Sequence, residues 1–346
     1  MSKSTVSRVL NNSGVVDPKT RARILAVMEK HRYSPSRVAR SLSNQDSSVI
    51  GVVIPEIDNP YFSKILRTIA RITDEAGLTL TCCVTDNVGA KDLQALRTLQ
   101  DSRVKGIIYV PANEFTDPTV LASVQLFVNE SDIPVVLMDR RMPSLHQDGV
   151  FFDDQRASYI ATRTLLAAGH PTVGLINGHV RLGVARERKR GYIQALEDAG
   201  VPVREEFIFE GDFTVQSAYQ SACRMLDQPE IPSAVLTCSN YLALGFFQAL
   251  TQRGLQVPGD IQLIGFDELD MLDALQIPYN HIFRSTQQMA TKAMDLLLGR
   301  VEDSQKSPET IFIAPKYVLS DSLRQAALER YILTPELLCE RGNGAL

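Results

Sequence analysis

The sequence predicts a doubly wound α/β body in two lobes, preceded by a small all-helical head. Two observations lead to this prediction. From Val49 onward, near-continuous apolar runs alternate with amphipathic stretches, and residues 1–45 carry a net charge of +7 whereas the rest of the chain carries −11. A chain of 346 residues is long enough for two or three packed units. We therefore expect a basic head attached to a larger acidic body.

The head is predicted to contain two helices and a shorter third one. Residues 2–12 have a helical pattern that ends at a polar turn containing glycine. Asp17 and the proline after it supply an N-cap and a first-turn residue for a second helix over residues 18–31. Residues 36–43 can form one or two further turns, and the polar run at 43–48 is predicted to link the head to the body.

The body contains eight apolar runs that are typical of buried parallel strands separated by helices. The predicted strands span residues 49–55, 78–84, 106–111, 134–139, 172–177, 207–211, 233–238 and 261–267. Eight strands are more than a single sheet is expected to hold, so two lobes are predicted. The polar segment 142–149, which contains a proline and a glycine, is predicted to mark the break between them. Because ligands bind outside the carboxyl ends of such strands, we expect a small-molecule site in the cleft between the lobes.

Composition and motif content argue against several other classes of protein. No run of about 18 uncharged apolar residues occurs, and the N-terminus is polar where a secretory signal would be apolar, so we expect a cytoplasmic protein without a membrane span. The five cysteines and five histidines form no metal-ligand pattern, and no metal or other cofactor is predicted. Glycine-rich phosphate loops and the GxSxG turn are absent, which disfavours an enzyme. The basic head suits a polyanion, although a solvated charged face would have the same composition.

Several strings in the chain resemble the LacI/GalR family of transcription repressors. SKSTVSRVLNN at 2–12 and VDPKTRARILAVMEKHRYSPSRVARSLS at 16–43 are similar to the family's DNA-binding head. IGVVIPEIDNPYF at 50–62 and VPGDIQLIGFDE at 257–268 are among the pieces that extend the resemblance to about residue 320. The resemblance implies a helix-turn-helix head and a periplasmic-binding-protein-like body of doubly wound parallel sheets. It also implies a sequence-specific regulator, with repression favoured, that responds to a small effector and binds operator DNA as a homodimer, since two half-sites need two heads.

Three segments follow from this comparison. Residues 1–44 are predicted to form a truncated helix-turn-helix head with a hinge helix, residues 45–323 a body for effector binding and dimerisation, and residues 324–346 a C-terminal tail. The head is expected to be truncated because family members begin with about a dozen further residues that form the first helix. Two explanations stay open: a wrongly chosen start codon, which the intact base-reading residues favour, or a natural short form that binds DNA poorly.

Residues of the head that contact DNA are inferred from their family positions. Lys3, Ser4 and Arg8 occupy the base-reading slots, and Arg8 can pair bidentately with guanine, whereas Lys3 contacts either a base or a phosphate. Leu42 takes the place of the hinge's minor-groove wedge, with packing against the body as its alternative. The predicted DNA-binding set is Lys3, Ser4, Thr5, Ser7, Arg8, Asn11, Tyr33, Val38, Ala39, Arg40 and Leu42.

Effector contacts, also inferred from family positions, follow the strands of the body. Asp139 and Asp267 would accept hydrogen bonds from hydroxyl groups, Arg188 would donate, and Phe213 would stack on a polyhydroxylated ring. The alternative for Phe62 and Phe213 is a place in the core. The predicted effector-binding set is Asn59, Tyr61, Phe62, Asp139, Arg188, Phe213, Ser239, Asp267 and Arg284.

Two departures from the family pattern bear on the effector's charge. Ser239-Asn240 stands where the family commonly has Asn-Asp, and Arg284 stands where it has Gln. One carboxylate fewer and one guanidinium more predict an anionic effector, such as a sugar phosphate or sugar acid, held by Arg188 and Arg284. The alternative is that Arg284 pairs with a nearby acid such as Asp267 or Glu268.

Three functions are therefore weighed. The favoured one is an effector-controlled DNA-binding regulator. The second is a sugar-binding receptor whose DNA binding is impaired by the short N-terminus, and an enzyme is the least favoured.

Overall fold

A computed structural model describes residues 2–10, 16–31, 48–112, 115–142, 145 and 147–339 of the chain. The chain divides into two compact units, residues 1–48 and residues 49–346. The predicted boundary at residue 44 lies outside the described residues.

The described part of the head contains two helices, α1 (Lys3–Leu10) and α2 (Pro18–Lys30). The side chain of Asp17 caps α2 by accepting a hydrogen bond of 3.0 Å from the backbone N–H of Thr20, which confirms the predicted N-cap. Val9 of α1 and Ile24 of α2 are buried. The third predicted helix falls outside the described residues.

The described part of the body contains two six-stranded sheets flanked by helices. The first sheet has the order β11-β5-β4-β3-β1-β2 and the second β12-β10-β9-β8-β6-β7. All neighbouring strands are parallel except β12, which runs antiparallel to β10. The strands are β1 (Val49–Ile54), β2 (Thr79–Val84), β3 (Gly106–Tyr109), β4 (Val135–Asp139), β5 (Gly149–Phe152), β6 (Val173–Gly178), β7 (Ile208–Gly211), β8 (Ala234–Thr237), β9 (Gln262–Phe266), β10 (Asn280–Phe283), β11 (Thr310–Ile313) and β12 (Lys316–Val318).

Helices connect most of these strands. They are α3 (Pro60–Glu75), α4 (Gly89–Asp101), α5 (Pro118–Glu130), α6 (Asp154–Ala167), α7 (Gly183–Asp198), α8 (Val215–Leu226), α9 (Asn240–Arg253), α10 (Asp270–Ala274), α11 (Thr286–Glu302) and α12 (Asp321–Glu329). Among the helices described, none has the length and apolar character needed to span a membrane.

The two lobes are interleaved in sequence. Within the described residues the chain crosses between the sheets three times: after β5, after β10 and after β11. As a result α11 belongs to the first lobe, where it packs on α3 and on strands β3, β4 and β5. Its Met289, Ala293 and Leu297 are buried there. Neither lobe is therefore a continuous piece of chain.

The eight predicted strands are all present, with ends shifted by at most two residues. The predicted lobe break at 142–149 is wrong, because this segment connects β4 to β5 inside the first lobe and the chain first leaves that lobe after Phe152. The segment is polar because it is a strand connection. At this first crossing a single residue, Asp153, separates the end of β5 from the start of α6, and it caps α6 by accepting from the backbone N–H of Arg156.

The predicted boundary between body and tail, after residue 323, falls inside α12. Leu323 and Ala327 lie one turn apart on α12 and are both buried, so this helix packs as one piece on the second lobe. Leu333, beyond the helix, is also buried, and Leu338 pairs with Tyr317 of β12. The described residues of the tail are therefore part of the second lobe.

Helices α6 and α7 pack unusually closely in the second lobe. Gly191 of α7 lies against the backbone of Gln155 and Tyr159 of α6, and a Cβ atom there would overlap the Gln155 carbonyl oxygen. Ala157 and Ala161 of α6 are fully buried. The lack of a side chain at Gly191 lets the backbones of the two helices approach closely.

Candidate functional site

The head presents the described part of the predicted DNA-binding set on α1. Lys3, Ser4, Thr5, Ser7 and Arg8 all lie on this helix, and the side chain of Arg8 is exposed. Thr5 is tied to the helix start, since its Oγ1 lies 2.9 Å from Oγ of Ser2. Asn11, Tyr33, Val38, Ala39, Arg40 and Leu42 lie outside the described residues.

The contact between the two lobes is centred on Arg284, which follows β10 at the second crossing. Its guanidinium donates to both carboxylate oxygens of Asp267, with Nε–Oδ1 2.7 Å and Nη2–Oδ2 2.8 Å. Its Nη1 donates to Oδ1 of Asp139, in the other lobe, at 3.0 Å. The guanidinium also stacks on the ring of Tyr61, 3.6 Å from its centre. One buried cation thus joins a carboxylate from each lobe.

Asp139 and Asp267 occupy matching places in the two lobes. Asp139 ends β4 and Asp267 immediately follows β9, and both have left-handed backbones, with φ values of 64° and 67°. Such a conformation is unfavourable for a residue with a side chain, although aspartate tolerates it better than most, and it persists where the surroundings hold it. The turn directs both carboxylates toward the space between the lobes.

Burial and charge together determine the protonation of this cluster. Burial alone would lower the pKa of Arg284, but the carboxylates of Asp267 and Asp139 hold that pKa well above its ordinary value. Burial raises the pKa of Tyr61, whose hydroxyl donates to Oδ1 of Asp139 at 2.8 Å. At neutral pH the cluster therefore contains a charged arginine and a neutral tyrosine.

A second buried pair lies at the carboxyl ends of the second lobe's strands. Arg188 of α7 donates from Nε to Oδ1 of Asp154 at 2.7 Å and from Nη1 to the carbonyl oxygen of Cys238, and its guanidinium lies 4.0 Å from the centre of the Phe266 ring. Burial raises the pKa of Asp154, an effect that Arg188 opposes. The hydroxyl of Ser239 caps α9. This pair holds α6, α7 and the end of β8 together.

The remaining predicted effector residues border the same cleft or the cores beside it. Asn59 caps α3, and its Oδ1 accepts from Nδ2 of Asn240, across the cleft, at 3.1 Å. Phe62 is buried in the first lobe with its ring edge-on to that of Tyr61, which agrees with the alternative that placed Phe62 in the core. Phe213 is half-buried and packs over Gly178 at the end of β6.

Of the two alternatives left open for Arg284, the structure shows pairing with an acid. That acid is Asp267, whereas Glu268 accepts from Nζ of Lys64, across the cleft, at 2.7 Å. Arg188 is likewise paired with Asp154. In this structure each of the two guanidinium groups is bound by at least one carboxylate.

Several residues of the candidate site were not found from the sequence. Asp154 directly follows Asp153 and is typical of the start of a helix, although it is the carboxylate partner of Arg188. Arg140 and Asn87 form a polar support behind Asp139, with Nη1 of Arg140 donating to Oδ1 of Asn87 at 2.6 Å. Both follow strands of the first sheet directly or within a short turn. Their position just after a strand is the sequence signal from which Arg140 and Asn87 could have been predicted.

Free space between the lobes is divided unequally. The inner space, beside Tyr61, Lys64 and Arg284, measures only about 10 Å³ and has room for little more than one water molecule. An outer compartment of about 910 Å³ opens beside Asp139 and Asp154. Its volume suits a small organic molecule. In the part of the chain that the structure describes, no group of three or more His, Cys, Asp or Glu side chains could hold a metal ion.

Asp92 gives the first lobe a testable pH dependence. Its buried carboxylate accepts from the Tyr109 hydroxyl at 2.6 Å and from the Ala112 N–H at 2.7 Å, and burial raises its pKa despite these bonds. Folding therefore favours the protonated carboxyl, so this contribution to stability is complete below the ordinary pKa of aspartate and is lost as pH rises through the raised value. We therefore expect the free energy of unfolding of the Asp92→Asn variant minus that of the unchanged protein to increase between pH 4 and pH 7, as measured by urea titrations.

Asp101→Asn supplies the control, because Asp101 ends the same helix and is exposed. The difference in unfolding free energy between this control variant and the unchanged protein should vary little over the same pH range. A difference for Asp92→Asn that is constant with pH would contradict the assigned shift.

Comparisons with known proteins agree with this architecture. A family model described as periplasmic binding proteins and sugar binding domain of LacI family matches residues 47–320, and one described as bacterial regulatory proteins, lacI family, matches residues 1–36. The HTH-type transcriptional repressor PurR of Actinobacillus pleuropneumoniae serotype 3 (strain JL03) is 33% identical over 326 residues, covering 94% of this chain and 95% of that protein. The ribose operon repressor of Haemophilus influenzae is 28% identical over 93% of this chain and 95% of that protein.

Among solved structures, the lac repressor bound to ONPG in its repressed state matches with a TM-score of 0.79 and 25% identity, covering 92% of this chain and 95% of that one. The family models together span both the head and nearly all of the body. The chain belongs to the LacI family of bacterial regulatory proteins.

Proposed function

We propose that this protein is a DNA-binding transcriptional repressor whose affinity for its operator is controlled by a small molecule bound between the lobes. The observation that carries the proposal is the convergence of Asp139 and Asp267, one from each lobe, on Arg284. A ligand that competes for either carboxylate changes the contact between the lobes. The relatives' names as PurR and ribose operon repressors support the regulatory role, and no relative cited above is named as an enzyme.

The proposed effector is a small polyhydroxylated molecule of the sugar type. Asp139 and Asp267 would accept from its hydroxyl groups, and the aromatic side chains nearby would cover its apolar faces. The proposed contacts are the nine residues Asn59, Tyr61, Phe62, Asp139, Arg188, Phe213, Ser239, Asp267 and Arg284. Because Arg284 already occupies the inner space, the effector either displaces its bond to Asp139 or binds beside it, in the outer compartment.

Control of DNA binding requires that the effector discriminate between two arrangements of the lobes. A ligand shifts an equilibrium only by its difference in affinity for the two states. Breaking the bond between Arg284 and Asp139 would free the lobes to rotate about the three crossings. In a cytoplasmic homodimer this rotation would change the distance between the two heads, and with it their fit to paired half-sites.

The head's share of the proposal is tested at Arg8. The exposed Arg8 of α1 is the proposed base-reading residue, so Arg8→Ala should weaken binding to a selected operator by about 5- to 150-fold, equivalent to about 1–3 kcal/mol. Fluorescence anisotropy with operators selected from random-sequence DNA would measure the loss. Discrimination at one guanine should relax at the same time.

Arg23→Ala is the matched control, because Arg23 is an exposed arginine on α2. It should alter affinity for all DNA sequences alike. Equal effects of the two variants would argue against base reading by Arg8. If the full chain shows no salt-sensitive DNA binding at all, the receptor alternative replaces the repressor.

A further inference from the structure

We propose that the outer compartment contains an anion-binding subsite formed by Arg141 of the first lobe and Arg186 of the second, and that the effector carries a phosphate or carboxylate group bound there. The inference rests on the proposed function, since it assigns a chemical class to the same effector. It differs from the earlier expectation in the residues responsible, because Arg188 and Arg284 are already paired.

Arginines surround the cleft, and most of them have fixed partners. Besides Arg188 and Arg284, Arg140 is bound to Asn87 and to the Pro111 carbonyl oxygen. Arg190 donates to both oxygens of Glu187 at 3.1 Å. Arg141 and Arg186 both line the compartment with exposed side chains, and neither forms an ion pair with any described carboxylate. Nη1 of Arg186 donates to the carbonyl oxygen of Val180 at 3.4 Å, which leaves its other N–H groups for a ligand.

Arg141 is positioned by aromatic rings. Its guanidinium lies 5.3 Å from the centre of the Phe151 ring and 4.7 Å from that of Phe312. These phenylalanines are paired across β5 and β11, and Phe312 is 52% exposed on the edge strand. Contact with ring faces holds the cation by its flat side and leaves its N–H groups at the rim free to donate. An anion in the compartment would complete this arrangement.

Arg186 lies in an unfavourable electrostatic setting. Helix α7 begins at Gly183, has no side-chain cap and has no acidic residue in its first turn. Arg186 lies in the first turn, where the backbone dipole presents positive charge, and Arg190 lies one turn further along the same face. The first residues of α7, Gly183 and Val184, also line the compartment. A bound anion would offset both sources of repulsion.

The acidic residues of the compartment are occupied. Asp139 and Asp154 are held by Arg284 and Arg188, and Glu187 is held by Arg190. Asp153 accepts from the N–H of Arg156 as the cap of α6. Among the arginines that line the compartment, Arg141 and Arg186 are therefore the two without a carboxylate partner among the described residues, and Asp153 is the one acid there without a described cation. Because the two arginines come from different lobes, an anion bound by both would link the lobes directly.

The first test uses inorganic phosphate on the full chain. Phosphate at constant ionic strength should raise the thermal unfolding midpoint of the unchanged protein, and the rise should be at least halved in the double variant Arg141→Gln/Arg186→Gln. Arg190→Gln removes a neighbouring but paired arginine and should keep the rise. Phosphate bound by the basic head would raise the midpoint of the double variant as well, so the comparison distinguishes the two binding sites. An equal rise in all three proteins would overturn the subsite.

The second test compares sugars by isothermal titration calorimetry. Ribose is compared with ribose 5-phosphate and ribonate, and glucose with glucose 6-phosphate and gluconate, which also distinguishes phosphate from carboxylate. At least one anionic form should bind at least tenfold more tightly than its neutral parent, and the double variant should lose that preference. The subsite is overturned if no anionic form is preferred or if the preference survives in the double variant.

The two proposals fail in different ways. A neutral sugar that binds the unchanged protein and the double variant equally, and alters DNA affinity in both, would overturn the anion subsite while the repressor function stands. Absence of salt-sensitive DNA binding would overturn the repressor function, and a phosphate response confined to proteins with Arg141 and Arg186 would still establish the subsite.

Discussion

Replacing Arg284 with methionine is expected to lower the free energy of unfolding by about 3–5 kcal/mol. Methionine fills much of the same volume, but it leaves the buried Asp267 without its ion-pair partner and leaves the buried Asp139 with only the more distant Arg140, whose Nε lies 3.8 Å from Oδ2. It also removes the cation that stacks on Tyr61. Urea unfolding at pH 7, followed by circular dichroism, would measure the loss.

Two further variants separate charge from packing in this prediction. Arg71→Met removes an exposed ion pair with Glu75 and should cost no more than about 1 kcal/mol. Adding Asp139→Asn and Asp267→Asn to Arg284→Met removes the uncompensated charges, and this triple variant should recover part of the lost stability. A loss below 1 kcal/mol for Arg284→Met would mean that water reaches the carboxylates.

The second large effect is expected at Gly191. In an ordinary helix interior, alanine is more stable than glycine by up to about 1 kcal/mol. At Gly191 the added methyl group would overlap the Gln155 carbonyl oxygen, which belongs to the backbone of α6 and cannot rotate away. We therefore expect Gly191→Ala to destabilise the protein by about 1–3 kcal/mol or more, since α6 and α7 must separate.

Gly299→Ala is the matched control for this substitution. Gly299 is also helical, near the end of α11, and a Cβ atom there would meet only the flexible Nζ of Lys306 at 3.4 Å. This variant should be as stable as the unchanged protein or more stable by up to about 1 kcal/mol. If both substitutions changed the free energy of unfolding in the same direction, α6 and α7 would not be in tight backbone contact.

Of the four strands that the sequence misses, β5 is apolar and buried like most of the predicted ones, whereas the other three differ from them physically. β1 and β9 are buried on both faces and read as runs of Val, Ile and Leu. β10 reads Asn-His-Ile-Phe, and its two polar residues are buried: Asn280 donates to Gln262 of β9 and accepts from the N–H of Ser320, and His281 stacks on Tyr279. β11 and β12 are edge strands of four and three residues, too short to show a period. Their pairing depends on chain segments far away in sequence.

The candidate site shows a similar division. Position after a strand correctly selects Asp139 and Asp267 as neighbours of the space between the lobes, because parallel strands end at a common edge. The pairing of Arg284 could not be deduced, since Asp267 and Glu268 are adjacent and the turn at Asp267 decides which carboxylate points inward. The occupied state of Arg188 likewise depends on Asp154, whose role is visible only once α6 and α7 are packed together.

The interleaving of the lobes has a consequence for synthesis of the chain on the ribosome. The apolar faces of α3 and of the first sheet are covered by α11, and the edge of that sheet is completed by β11, so the first lobe remains unfinished until residue 313 has been made. By then every strand of the second sheet except β12 has also been made. The first lobe, although it begins the body, must therefore expose apolar surface for most of translation, and both lobes mature almost together as the last strands emerge.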